Sequence, residues 1–335
     1  MSAAPGFRTY RVLVVGCGQL GSRHLQAIST LPQVTEVDVV DPRPEALELG
    51  RARLAEVADR APTTKFQWFA SVDQASHGGD LCIVATQALG RAQVVQQVVE
   101  RLGYRAFLLE KIVTQSTAEY EGLLRLAAER RLSVWVNCKT RAHPSHRRVK
   151  ASLEAGEPII LGIVAGNQGL ANNGIHMADL FAFYDGSTRI DPAGSRVDPI
   201  LHPSKRGRDV FDLSGTLLGV SPKGSHFSLS FSAHHDSPMC VTVASPRYRA
   251  VIDDMLKWFH ESTAESGWTW RRVPFEANLM VSAMTRLFAS QILAFGRCEL
   301  PTLEECYPAH RFILEELRPH FTKLLGKPVE RCPVT

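Results

Sequence analysis

Two patterns of apolar and polar positions divide the chain. From residue 10 to residue 137, short aliphatic and β-branched runs alternate with amphipathic stretches. Tyr10 to Val15, Val34 to Asp41, Lys65 to Phe69, Leu81 to Ala85, Ala106 to Glu110 and Ser133 to Asn137 read as strands. Helices are predicted between them, from the glycines after Val15 to about Leu31, from Pro44 to about Ala58, from Arg91 to Arg101 and from Ser116 to Arg130. All-apolar strands such as Leu81-Cys-Ile-Val-Ala85, separated by helices, belong to a parallel sheet covered on both faces.

Beyond Arg141 the pattern changes. Strand-like runs follow one another with turns between them: Ile159 to Ala165, Gly215 to Val220, Ser225 to Ser232, Met239 to Ala244 and Tyr248 to Asp253. This predicts a large antiparallel sheet of the α+β kind, with helices at about 173–184, 275–295 and 303–325. The long helix presents Leu279, Val281, Met284, Leu287 and Ile292 as a packing face. Residues 191–208, rich in Pro, Gly, Ser and Arg, form a loop long enough to lie over a ligand. The expected fold is therefore an α/β parallel-sheet domain over 8–140 and an α+β domain over 141–335.

Composition narrows the function. The 335 residues are 44% hydrophobic and 21% charged, ordinary globular values, and no run approaches the roughly 18 apolar residues of a membrane helix. Met1 to Phe7 lack the layout of a secretion signal and read as a loose leader, so a cytoplasmic protein is expected. A net charge of +4 with dispersed Lys and Arg mildly favours small anions and argues against nucleic acid. Seven scattered cysteines without a CxxC pair suit a reducing compartment.

The first strand runs into Gly16-Cys-Gly-Gln-Leu-Gly21. In a strand–turn–helix context these glycines make a phosphate cradle: Gly16 permits the tight turn, Gly18 lets backbone approach a pyrophosphate, and Gly21 lets helix pack on strand. Gln19 and Leu20 lie on the same turn, and the helix that follows offers its N-terminal N–H groups. Asp41, at the end of the second strand about 20 residues beyond the last glycine, is placed to accept from ribose hydroxyls. Its carboxylate favours NAD over NADP, a preference that Arg43 softens.

Chemistry is expected at two further places. Lys111 follows Glu110 at the carboxyl edge of the sheet, where it is suited to polarise a hydroxyl or stabilise an alkoxide. In Asn172-Asn-Gly-Ile-His-Met-Ala-Asp179, His176 and Asp179 share a helix face above Asn172, and histidine is suited to take a hydroxyl proton. His234 and His235 are adjacent on a strand and point to opposite faces, so no metal site is expected.

Taken in order, Gly16 to His24, Asp41, Ala85-Thr86, Glu110-Lys111, Asn137 to Pro144 and the Gly-x-His-x-x-Asp of Gly174 to Asp179 resemble the glucose-fructose oxidoreductase and inositol dehydrogenase family over nearly the whole chain. The resemblance implies a Rossmann domain, an open-sheet domain through which members form homodimers or homotetramers, and NAD(P)-linked chemistry at a hydroxyl or keto group of a sugar, nucleotide sugar or acidic sugar. It implies that Lys111 contacts substrate and nicotinamide, that His176 is the acid/base with Asn172 beside it, and that Thr86 and Glu110 belong to the cofactor site. Three departures stand out. Ile112 replaces the family's proline after the lysine, Asn172 replaces an aspartate, and Gln87 and Arg91 occupy the usual Thr-Pro and downstream histidine region. Together with Ser204 to Gly207 these resemble a branch associated with bacterial surface-glycan sugars. Arg141, Asn173, Asp179, Lys205 and Arg206 are the candidate substrate residues, the cations suiting a carboxylate or phosphate. The alternatives are a non-catalytic NAD or sugar sensor and a redox-neutral enzyme with tightly bound NAD.

Overall fold

The computed structural model describes residues 8–275 and 280–335. Its N-terminal elements are β1 (Tyr10–Val15), α1 (Gly21–Ser29), β2 (Val34–Val40), α2 (Pro44–Ala55), β3 (Lys65–Phe69), β4 (Leu81–Val84), α3 (Arg91–Gln97), β5 (Ala106–Leu109), α4 (Thr117–Arg130) and β6 (Ser133–Val136). There follow α5 (Pro144–Ser152), β7 (Ile160–Gly166), α6 (Gly174–Asp185), β8 (Asp191–Pro192), β9 (Arg196–Val197), β10 (His202–Pro203), β11 (Phe211–Asp212), β12 (Gly215–Val220) and β13 (His226–Ser232). The last elements are β14 (Cys240–Ala244), β15 (Tyr248–Asp253), β16 (Trp258–Thr263), β17 (Arg271–Arg272), α7 (Val281–Phe295) and α8 (Leu303–Leu325). Among the described residues, 8–110, 121–137 and 280–302 form one compact unit, and 111–120, 138–275 and 303–335 a second.

The first unit is built on a parallel six-stranded sheet in the order β3-β2-β1-β4-β5-β6. Val12, Leu13 and Val14 are fully buried because helices cover both faces of this sheet, as its uninterrupted apolar strands require. The strand order reverses between β1 and β4, which makes the carboxyl end of β1 the switch point where such sheets bind ligands. The helix expected to reach Arg101 is α-helical only to Gln97 and continues as a π-helical turn over Val98–Leu102, which Gly103 ends at a φ of 74°. The α7 helix also belongs to this unit, with Met284 and Phe288 buried and α1 as its neighbour. It starts at Val281 and not at Phe275, and Leu279 lies outside the described residues.

The second unit holds a nine-stranded sheet, ordered β17-β16-β15-β14-β7-β13-β12-β8 with β9 also on β12. It is mixed where an antiparallel one was expected, because β7 and β13 run parallel. Parallel neighbours need a long crossover, and α6 with the chain after it provides one. Side chains alternate along β13, so Phe227, Leu229 and Phe231 face inward. Phe181 of α6 stacks on Phe227 at 5.2 Å, and Phe312 of α8 meets the same ring edge-on at 5.8 Å. The 191–208 segment is tied down by β8 and β9 on β12 and by β10 on β11.

A charged knot fixes α5 and three strands within this unit. Glu261, 1% exposed, accepts from Arg148 (2.7 and 2.9 Å), Arg271 (2.8 Å) and the Tyr248 hydroxyl (3.0 Å). The Arg148 hydrogen bonds, opposed by burial and helped by Arg271 and Tyr248, hold its carboxyl down to about 2, from the usual 4.5. A depressed acid stabilises the fold fully above its unfolded value, and this contribution is lost as pH falls through the folded one. Glu261→Gln should therefore cost about 2 kcal/mol at neutral pH, the order for losing hydrogen bonds to a charged group. Unfolding curves taken from pH 7 to acid should show the variant's deficit shrinking below pH 4.5.

Candidate active site

In the first unit the glycine turn is shaped by contacts that exclude any side chain. Gly16 has a φ of 88°, and a Cβ there would lie 2.8 Å from Ala85 C and Thr86 N. A Cβ on Gly21 would lie 1.7 Å from the Gly16 carbonyl oxygen, so α1 can begin against the turn only with glycine there. Gly18 is open apart from Arg43 Nη2 at 3.3 Å. Arg53 donates to the Gln19 carbonyl and to Ser22 Oγ, which pins the turn. These features leave bare backbone and a helix N-terminus where a pyrophosphate needs them, so the residues fit a dinucleotide. Gly16→Ala should weaken NAD binding at least about tenfold, since it demands a left-handed alanine against β4. Quenching of nicotinamide fluorescence on titrating NADH into the variant measures this.

Asp41 is buried, and its carboxylate accepts from the Cys17 amide at 2.8 Å and from the Arg43 amide and Nε at 3.0 and 3.2 Å. It therefore fastens the glycine turn, and it brings the exposed Arg43 guanidinium to the same place. Thr86 and Glu110 end β4 and β5, and their carbonyls both accept from Arg91, which is 1% exposed. The Glu110 carboxylate takes hydrogen bonds from Asn137 Nδ2 (2.6 Å) and His24 Nε2 (2.9 Å), and His24 Nδ1 bonds Thr285 Oγ1 at 2.8 Å. Its polar atoms thus tie strand ends together. Arg91 and His24 went unrecognised as parts of this lattice.

In the second unit, Lys111 is buried and its ammonium donates to the Asn172 carbonyl at 2.7 Å. The Lys111–Ile112 peptide is cis. Asn172 lies just before α6, and His176, half-buried, sits in the first turn of that helix. The approach to α6 is held by a residue that the sequence did not single out. Asp212 accepts from the amides of Ala171 (2.8 Å), Asn172 (3.0 Å) and Leu213 (2.8 Å). A Cβ on Gly169 would lie 1.9 Å from Asp212 Oδ2, so that glycine makes room for the carboxylate. Burial pushes the Asp212 carboxyl up, against the three amides and the Lys111 charge.

Asn172, Asn173 and Asp212 line a cavity of about 210 Å³, together with Gln168, His202 and Ser204. The long loop does reach a cavity, through His202 and Ser204. Asn173 donates to Gln168, and Arg206 donates to the Thr335 carbonyl at 2.8 Å and to Asn172 Oδ1 at 3.4 Å. Lys205 is exposed and does not line this cavity. Arg141 and Asp179 form a buried two-pronged ion pair at 2.7 and 2.8 Å, with Glu305 at 3.5 Å from the same guanidinium. Burial lowers the Arg141 pKa and the Asp179 carboxylate more than restores it, so the guanidinium is committed to holding α6. Asp179 thus faces Arg141 in the core, and His176 is less deeply buried.

The structure also gathers His143, His146 and Asp254, which the sequence left apart. Asp254 Oδ2 bonds His143 Nδ1 (3.1 Å) and His146 Nε2 (2.9 Å), Oδ1 accepts from Ser145 Oγ (2.7 Å), and Tyr184 bonds His146 Nδ1 (2.6 Å). Burial raises the Asp254 carboxyl, but the two imidazoles reverse this and hold it well below the usual range. These bonds tie α5 to the end of β15.

Comparison with known proteins agrees with this geometry. Residues 10–138 match the model of a family described as oxidoreductase family, NAD-binding Rossmann fold. Through this segment the chain is similar to the glucose-fructose oxidoreductase and inositol dehydrogenase family, and its first unit has an NAD-binding Rossmann fold. No curated protein matches the chain by sequence. Among solved structures, the UDP-N-acetylglucosamine 3-dehydrogenase of Acidithiobacillus ferrooxidans is 18% identical, with 96% of this chain and 98% of that one covered at a TM-score of 0.70. A 3-ketoreductase of Actinomadura kijaniata in complex with NADP is 18% identical over 91% and 96%, at 0.67. The transcriptional regulator Gal80p of Kluyveromyces lactis is 15% identical over 97% and 92%, at 0.69. At these identities the likeness is one of fold, and it extends over both units.

Proposed function

We propose that the protein is an NAD(P)-dependent oxidoreductase acting on a hydroxyl or keto group of a sugar or nucleotide sugar. The observation that carries this reading is the buried Lys111 ammonium held on the Asn172 carbonyl, at the entrance to the helix that bears His176. A dinucleotide held on Gly16, Gly18 and Gly21 supplies the hydride acceptor or donor. Lys111 polarises the reacting oxygen and stabilises it as an alkoxide, and His176 takes or returns the hydroxyl proton. Asn173 and its neighbours in the cavity orient ring hydroxyls. Lys205 and Arg206 remain candidates for an anionic group on the sugar. The exposed Ile160 and Val164 on the outer face of β7 support a homo-oligomer formed through the mixed sheet. No described helix is long and apolar enough to cross a membrane.

Asn172 in place of an aspartate favours a second reading, a sensor that binds dinucleotide and sugar without turnover. The discriminating experiment follows nicotinamide absorbance with NAD or NADP and a panel of nucleotide sugars and free sugars, using His176→Ala as control. The oxidoreductase reading expects turnover that falls about 10² to 10⁴-fold in the variant, the usual size of a lost acid/base. Equal inertness of wild type and variant toward sugars that bind would select the sensor.

A further inference from the structure

The cavity of the second unit contains an imidazole whose proton is placed by its neighbours. Ser214 Oγ lies 2.6 Å from Asp198 Oδ2, and His202 Nε2 lies 3.0 Å from the same Ser214 oxygen. A carboxylate has no hydrogen to give, so the short contact to Asp198 uses the Ser214 hydroxyl hydrogen. The Ser214 oxygen is then left as an acceptor, and His202 must donate to it from Nε2. The neutral ring therefore carries its proton on Nε2 and keeps a lone pair on Nδ1. That nitrogen makes no hydrogen bond to any described residue.

The backbone holds this relay in place. Asp198 donates its amide to the Ser214 carbonyl at 2.9 Å, Ser214 is 1% exposed, and Val197 pairs with Gly215 just beyond it. His202 is paired directly opposite Asp212 in the β10–β11 ladder, so the two side chains stand on one face, and both line the cavity. The remaining polar lining is carboxamide and hydroxyl: Asn167, Gln168, Asn172, Asn173 and Ser204. An acceptor nitrogen beside a carboxylate offers nothing to a phosphate or carboxylate group. It suits a neutral group that brings its own hydrogen.

We propose that His202, oriented by Ser214 and Asp198, is a specificity residue that accepts a hydrogen bond from a neutral hydroxyl or amide N–H of the substrate. This deepens the sugar reading and rests on it. It also separates the group that meets His202 from any anionic group of the substrate.

The test has two arms on the full chain. Long-range proton–nitrogen NMR of histidine-labelled protein at slightly alkaline pH, with His202→Gln assigning the signal, should show His202 as the Nε2–H tautomer. Ser214→Ala should erase that preference. In the second arm, calorimetry with NAD present measures the affinities of UDP-N-acetylglucosamine, UDP-glucose and free N-acetylglucosamine. His202→Phe should weaken the sugars that bind by about tenfold while NAD affinity stays unchanged, and His202→Gln, which keeps an acceptor, should recover part of the loss. An Nδ1–H tautomer in wild type, or sugar affinities indifferent to His202→Phe, overturns the proposal and leaves the oxidoreductase reading standing. Wild type that binds NAD but none of these sugars overturns both.

Discussion

Lys111→Met lowers kcat by about 10³-fold and leaves NAD affinity within about twofold of wild type. The size is that of removing the cation proposed to face a developing alkoxide, an effect of the same order as losing an oxyanion-hole donor. The selectivity follows from where the residue is held. Its ammonium is buried on the Asn172 carbonyl, while the glycine turn that cradles the dinucleotide is fixed by Asp41 and Arg53. Methionine keeps most of the length and apolar stem of lysine, so the variant tests charge and not packing. Steady-state kinetics with NADH fluorescence titration measures both quantities. A parallel loss of cofactor binding would mean that Lys111 shapes the fold and not the reaction.

Asp212→Asn produces the second large effect, a fall in kcat of about 10² with a smaller change in KM. Both carboxylate oxygens accept backbone amides in the approach to α6, and an amide nitrogen in either position faces an N–H with another N–H. The turn that supplies the carbonyl for Lys111 then shifts, and the lysine loses a neighbouring negative charge. The pH profile distinguishes this from general loosening. Burial raises the Asp212 carboxyl above its ordinary value, so wild-type turnover should fall on the acid side as Asp212 takes up a proton. The asparagine variant should be low and lack that limb. A variant that keeps the same acid limb at reduced amplitude would place Asp212 outside the lysine's environment.

The first unit was legible because its signals are local. A strand that runs into Gly16-x-Gly-x-x-Gly21 and an acid at the end of the next strand are each fixed by the backbone within a few residues, and the sheet order follows from strands that are apolar throughout. Lys111 and Asn172 were visible as single residues, but their contact joins two distant segments and has no periodic trace. Asp212 and His202 were missed for a related reason. They meet in a two-residue ladder too short to show alternation, inside a stretch whose composition reads as loop. The Arg141–Asp179 pair was likewise not legible. An arginine near a site looks like an anion receptor, and only burial reveals that a carboxylate from α6 already fills its fork.

The central claim is that the residues around Lys111 move hydride chemistry between a sugar and the bound nicotinamide. The most direct measurement incubates the protein with NAD and a panel of ring-deuterated nucleotide sugars and free sugars, and reads the mass of the dinucleotide. The account predicts reduced dinucleotide carrying one deuterium with wild type and almost none with Lys111→Met. Sugars that bind beside NAD, with no deuterium reaching the dinucleotide in wild type, would contradict it.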